Sequence, residues 1–158
     1  MRSVDEPPQG SQPLMAGGGV RALGDLPEPV RALLARERRG VMTTLNPDGS
    51  GHSVPVVFVV IGDEIVSPID NKPKSGRKLQ RLSNIERDDR VTLLVDHWDE
   101  DWTRLAWVMV RAHAAVDAGA PHELTTALHA RYPQYTPDEQ PDTWIRMRPA
   151  KLTWWTWE

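Results

Sequence analysis

Period-two alternation of apolar and polar residues runs through the middle of the chain, and helical periodicity is confined to three short segments. "VMTTL" leads into "NPDG", a turn with proline second and glycine fourth. "HSVPVVFVVI" then runs to "GD", a two-residue hairpin signal, and "EIVSPI" answers it. Residues 41–69 therefore predict a three-strand antiparallel meander. Its middle strand is apolar on both faces, as a strand covered on both sides would be. Pro55 removes one ladder donor from that strand and points to an edge position or a bulge. "VTLLVDHW" reads as a fourth strand. In a fifth, "LAWVMVRAHAAV", Ala106, Val108, Val110, Ala112, Ala114 and Val116 share a small apolar face, while Trp107, Met109, Arg111 and His113 point the other way. "AKLTWWTWE" makes the sixth.

Three segments carry helical spacing. In "DLPEPVRALLARERRG", Asp25 is the expected N-cap and Val30, Leu33 and Leu34 form the stripe. Arg36, Arg38 and Arg39 gather where the helix dipole favours cations. "RKLQRLSNIERD" aligns Leu79, Leu82 and Ile85. "APHELTTALHARYP" starts near Pro121 and aligns Leu124, Leu128 and Tyr132. Residues 1–24, rich in Pro and Gly and without periodicity, predict a disordered tail before one domain at 25–158. Six antiparallel strands with helices packed outside predict a mainly β fold, a small barrel whose closure removes exposed edges.

Composition narrows the function. A length of 158 residues suits one domain with a real core. A formal charge of −3 argues against nucleic-acid or membrane-surface partners. The longest apolar run, Val54 to Ile61, falls far short of the ~20 residues of a membrane helix. The N-terminus lacks the apolar segment of a signal peptide. With no cysteine, thiolate chemistry and disulfides are excluded, which fits a cytoplasmic protein. His52, His97, His113, His122 and His129 fall in no metal-ligand spacing, so no metal site is expected.

One segment runs against the acidic balance. "DNKPKSGRKLQRLSNI" gathers Lys72, Lys74, Arg77, Lys78 and Arg81 at the start of the second predicted helix. A solvated helix face would explain them. So would an anion site, because Lys72-Pro73-Lys74 precedes the helix, where the dipole already favours negative charge. The apolar hairpin just before it offers a wall for a flat ring. Spacing alone leaves both readings open.

"NPDGSGHSVPVVF", "DNKPK…LQRLSNI" and "LLVDHWDEDWTRLAWV" together resemble the flavin and deazaflavin oxidoreductases of the pyridoxamine 5′-phosphate oxidase-like split-barrel group, most closely their F420-dependent actinobacterial branch. The resemblance spans about residues 26–157. It implies an FMN-binding type of split barrel, six-stranded and antiparallel. It implies a homodimer, with a cofactor in each cleft between subunits. The ring would lie against Ser53, Pro55, Val56 and Val57, meeting backbone groups, and its phosphate would fall to Asp70, Lys72, Lys74, Arg77 and Lys78. Trp98, Trp102 or Trp107 would reach it from the second subunit. Coenzyme F420 is the expected cofactor, FMN the alternative, and the expected activity is hydride transfer to a small unsaturated or conjugated acceptor. A carrier, sensor or haem-binding protein of the same fold is the competing class. The substrate is not legible in the sequence.

Overall fold

The structure, a computed structural model, describes residues 15–70, 78–119 and 121–157. Eight strands form a single antiparallel sheet: β1 (Met15–Val20), β2 (Gly40–Leu45), β3 (Gly51–Val56), β4 (Val59–Ile61), β5 (Glu64–Pro68), β6 (Arg90–His97), β7 (Ala106–Ala118) and β8 (Thr143–Trp157). Helices α1 (Glu28–Arg36), α2 (Gln80–Arg87) and α3 (His122–Arg131) flank it, with 3-10 turns at Leu23–Asp25 and Trp102–Arg104. The sheet order is β3-β2-β6-β7-β8-β5-β4, and β1 pairs with β8. Among the described residues, no helix is long and apolar enough to cross a membrane.

The class is as expected, mainly β in a split barrel, but eight strands replace six. Two corrections account for the difference. The expected middle strand is broken: β3 pairs with β2, β4 pairs with β5, and Val57-Phe58 lies between them. Consecutive residues thus supply both ends of the sheet, which is how it curls round without closing. Phe58 is wholly buried at the break, where ladder partners are missing. The Tyr132 hydroxyl takes their place, accepting from the Phe58 N–H at 3.0 Å and lying 2.8 Å from its carbonyl oxygen. Pro55 sits in β3, the terminal strand, where a missing donor is tolerated.

The second correction concerns the expected tail. Residues 15–20 are β1, paired along β8 from Met15↔Trp157 to Val20↔Leu152. Composition misled here because this strand is held by backbone pairing, and its glycines make room for a neighbour. A Cβ on Gly18 would come within 2.5 Å of the Trp154 ring. Residues 1–14 of the predicted tail lie outside the described residues. The N-cap of α1 is also corrected, from Asp25 to Pro27. Asp25 instead ends the preceding 3-10 turn.

The alternation expected in β7 holds in its middle, where Val108, Val110, Ala112 and Ala114 are buried, but not at its ends, where Ala106 is half-buried and Val116 exposed. They join Met42, Leu93, Val95, Met147 and Leu152, and the α1 stripe Val30, Leu33 and Leu34 packs into the same core. A smaller cluster sits under α3, where Leu124, Leu128 and Tyr132 meet Val59, Val66 and Trp144. α2 docks through a polar plug. The buried Asn84 Nδ2 donates to Thr44 Oγ1 and to Asn46 Oδ1, both at 3.0 Å, and its Oδ1 accepts from Gln80 Nε2 at 2.9 Å. Such a fully bonded buried amide fixes the helix in register on β2 more sharply than apolar contact would.

Candidate functional site

Among the described residues β3 has a partner on one side only, so alternate backbone N–H and C=O groups face its open edge. Ser53 and Pro55 are exposed there, and the Ser53 hydroxyl is 2.7 Å from that of Thr43. Val57, at the break, is half-buried. Val56 turns into the core, so its side chain cannot meet a ligand and only its backbone is on offer.

Past the end of β5 the chain reaches Asp70, whose carboxylate accepts from the Tyr135 hydroxyl at 3.0 Å. Burial, with Asp70 beside it, pushes the Tyr135 phenol well above its ordinary range. Arg81, on the first turn of α2, also feels Asp70. Burial pulls the pKa of its guanidinium down and the carboxylate opposes the shift. Its Nε is buried and has no hydrogen-bond partner among the described residues. An orphaned charged donor of this kind is costly, and it marks a place where an acceptor belongs.

Lys78, by contrast, is committed to an ion pair with Glu86. Lys72, Lys74 and Arg77 lie outside the described residues. Of the residues expected at the phosphate, Asp70 and Lys78 are described, and Arg81 stands near Asp70. Arg81 had been visible in the charge cluster without being singled out. What distinguishes it is burial, which no local pattern announces. Tyr135, in a Pro-rich loop 65 residues from Asp70, gave no signal at all.

The tryptophans lie on another surface. Trp98 and Trp102 are 64% and 65% exposed. Trp98 and Trp107 line a groove of about 390 Å³ with Asp96, Leu105, Ala106 and Trp155, and Trp102 is not part of it. Below the groove the outward sheet face continues through half-buried Met109, Leu94 and Val41, in register across β7, β6 and β2. Trp107 stands three strands from β3, roughly 14 Å at ~4.8 Å per strand. Within one chain, then, the Trp groove and the open edge of β3 stand at opposite ends of one sheet face, since Val41 pairs in turn with Pro55. Among the described residues no group of three or more His, Asp or Glu is placed to hold a metal ion.

Comparison with known proteins agrees with the fold. Residues 26–156 match the family model for pyridoxamine 5′-phosphate oxidase. Among solved structures, a conserved hypothetical protein of Mycobacterium tuberculosis superposes with a TM-score of 0.66 at 22% identity, covering 82% of this chain and 84% of that one. A protein described as an F420 reductase gives 0.62 at 22% identity, over 80% and 98%. An FAD-binding protein of Mesorhizobium loti gives 0.64 at 14% identity, over 91% and 99%. The comparison with curated proteins gave no match.

Proposed function

The chain belongs to the pyridoxamine 5′-phosphate oxidase family, and from that premise we propose that it is an F420-dependent oxidoreductase acting on a small unsaturated or conjugated organic acceptor. The observation that carries the reading is the buried, unpartnered Nε of Arg81 beside Asp70. It lies at the start of α2, directly after the segment bearing Lys72, Lys74 and Arg77. Arg81 is suited to grip a phosphate through directed N–H bonds, and the lysines to act as point charges along an extended anion. F420 carries a phosphodiester and a polyglutamate chain, so a long basic stretch suits it better than it suits the single terminal phosphate of FMN. The neighbour described as an F420 reductase supports the same choice.

When bound, F420 supplies the hydride chemistry, and the protein supplies position and exclusion of water. The open edge of β3 and the break that follows it offer alternate backbone groups among Ser53, Pro55, Val56 and Val57 to the polar edge of a ring. The second wall comes from a second copy of the chain, whose Trp98, Trp102 and Trp107 cover the ring in a cytoplasmic homodimer. Exposed tryptophans above a continuous apolar sheet face support this, because such a patch is unusual on a monomer.

Titration of the purified protein with F420, FMN and haem tests the proposal. Saturable binding of F420 well below the concentrations needed for FMN and haem is the expected outcome. Tighter FMN binding would favour the flavin reading, which the FAD-binding neighbour supports. Tight haem binding without turnover would replace the enzyme by a carrier or sensor.

A further inference from the structure

A second concavity lies between the 3-10 turn at Leu23–Asp25, α1, β4 and α3. It shares no residue with the β3 edge, Asp70, Arg81 or the Trp groove. Its volume of about 410 Å³ falls within the ~300–1,000 Å³ of small-ligand sites. Leu23, Leu26, Leu34 and Val59 form the apolar floor. Val60 stands in the wall 42% exposed, an apolar side chain left open among the described residues.

The charge at this cleft is one-sided. Arg131 lines it and spends its guanidinium on neutral acceptors. Nη1 donates to the Ala35 carbonyl at 2.9 Å, Nη2 to those of Leu34 (2.9 Å) and Glu37, and Nε to the Tyr132 hydroxyl at 3.1 Å. A guanidinium has five N–H donors, so one on Nη1 is left over. Those carbonyls terminate α1, whose dipole offsets only about half a charge. Arg31, at the rim, is shared with Glu28 at 3.0 Å, both of them exposed. What remains is a net positive charge at the side of an apolar trough.

We infer that this cleft binds an amphipathic carboxylate, an acid with an aliphatic chain or a single ring, its carboxylate against Arg131 and Arg31. An apolar body fills the Leu23–Leu26–Leu34–Val59 floor, and the acid group supplies the countercharge that the protein withholds. The inference stands apart from the cofactor site.

Octanoate is a suitable probe and octanol its uncharged control, titrated into the full chain by calorimetry. Octanoate is expected to saturate at one per chain and octanol to bind at least about ten-fold more weakly, the worth of one charge-assisted hydrogen bond. Gly24→Phe should block the cleft. Gly24 lines it, a Cβ there meets nothing within 4 Å, and its φ is not in the left-handed region. Arg31→Gln, at an exposed position, should weaken octanoate several-fold with octanol unchanged. F420 affinity should be the same in all three proteins. Equal binding of octanoate and octanol would overturn the inference, as would undiminished octanoate binding by a folded Gly24→Phe protein. Octanoate binding that falls away as protein concentration rises would also overturn it, by showing that a second copy fills the cleft.

Discussion

Replacing Tyr132 with Phe removes one oxygen and tests how the sheet tolerates its own break. That hydroxyl accepts from the Phe58 N–H at 3.0 Å and from Arg131 Nε at 3.1 Å. Its single proton lies between the Phe58 carbonyl oxygen at 2.8 Å and that of Arg38 at 3.0 Å. Phe58 is wholly buried, so water cannot replace the lost oxygen at its backbone. A buried group left without its partner costs about 1–3 kcal/mol. With the Phe58 N–H and one carbonyl left unpaired, and the part-buried Arg131 Nε losing its acceptor, the expected loss is about 2–4 kcal/mol. For a chain of this size that is roughly 5–15 °C in Tm, at ~2–4 °C per kcal/mol. Urea unfolding should show a lowered midpoint at unchanged slope. Tyr135→Phe is the matched control, because among the described residues its hydroxyl serves only Asp70, at a half-exposed site. Its loss should stay below about 1 kcal/mol. Equal losses for the two variants would refute the reasoning, and would mean that the break is solvated or finds other partners.

Arg81→Met should weaken F420 binding about ten-fold to a hundred-fold without lowering fold stability, because it removes a buried donor that has no partner among the described residues; a loss of stability with unchanged affinity would make Arg81 structural. Lys74→Ala should weaken F420 by a similar factor, with raised salt mimicking it in part, whereas the exposed Arg39→Ala should do little; equal affinities would return the basic cluster to a solvated surface. Sedimentation should show a dimer at micromolar concentration that Trp107→Asp dissociates, and a folded monomer of the unaltered chain would end the two-subunit site. Deleting residues 1–24 should lower Tm by several degrees, since it strips β1 from β8 and removes the buried Leu23; an unchanged Tm would show that β1 contributes nothing.

The sequence carried the faces of strands well, and their breaks poorly. Val108, Val110, Ala112 and Ala114 announced β7 because each sits against the core at a fixed period, which is a local property. The break at Val57-Phe58 has no local signature in a run that is apolar throughout. It is decided by Tyr132, 74 residues away. β1 was invisible for another reason. Its glycines bury nothing themselves and are valued for the space they leave to Trp154, a requirement written on the other strand. The site divides in the same way. Charge density picked out the segment around Lys74 and Arg81, but only the packing of α2 through Asn84 onto β2 separates the half-buried Arg81, with its buried Nε, from Lys78, which is spent on Glu86.

The pairing of β8 has a bearing on how the chain can be made. This strand, the last of the described elements, is hydrogen-bonded to β1, β5 and β7, from residues 15–20, 64–68 and 106–118. A ribosome extends the chain from the N-terminus, so all three must wait as exposed edges until residues 143–157 emerge. Folding during synthesis can therefore reach a nucleus of β2, β3, β6 and β7, and the seam that joins both halves forms only once residues 143–157 have emerged. Proteins dominated by such distant pairings fold slowly and expose strand edges in the meantime. Expression at lowered temperature, or with holding chaperones in excess, should raise the soluble yield of this chain more than it would for a barrel whose strands pair in order.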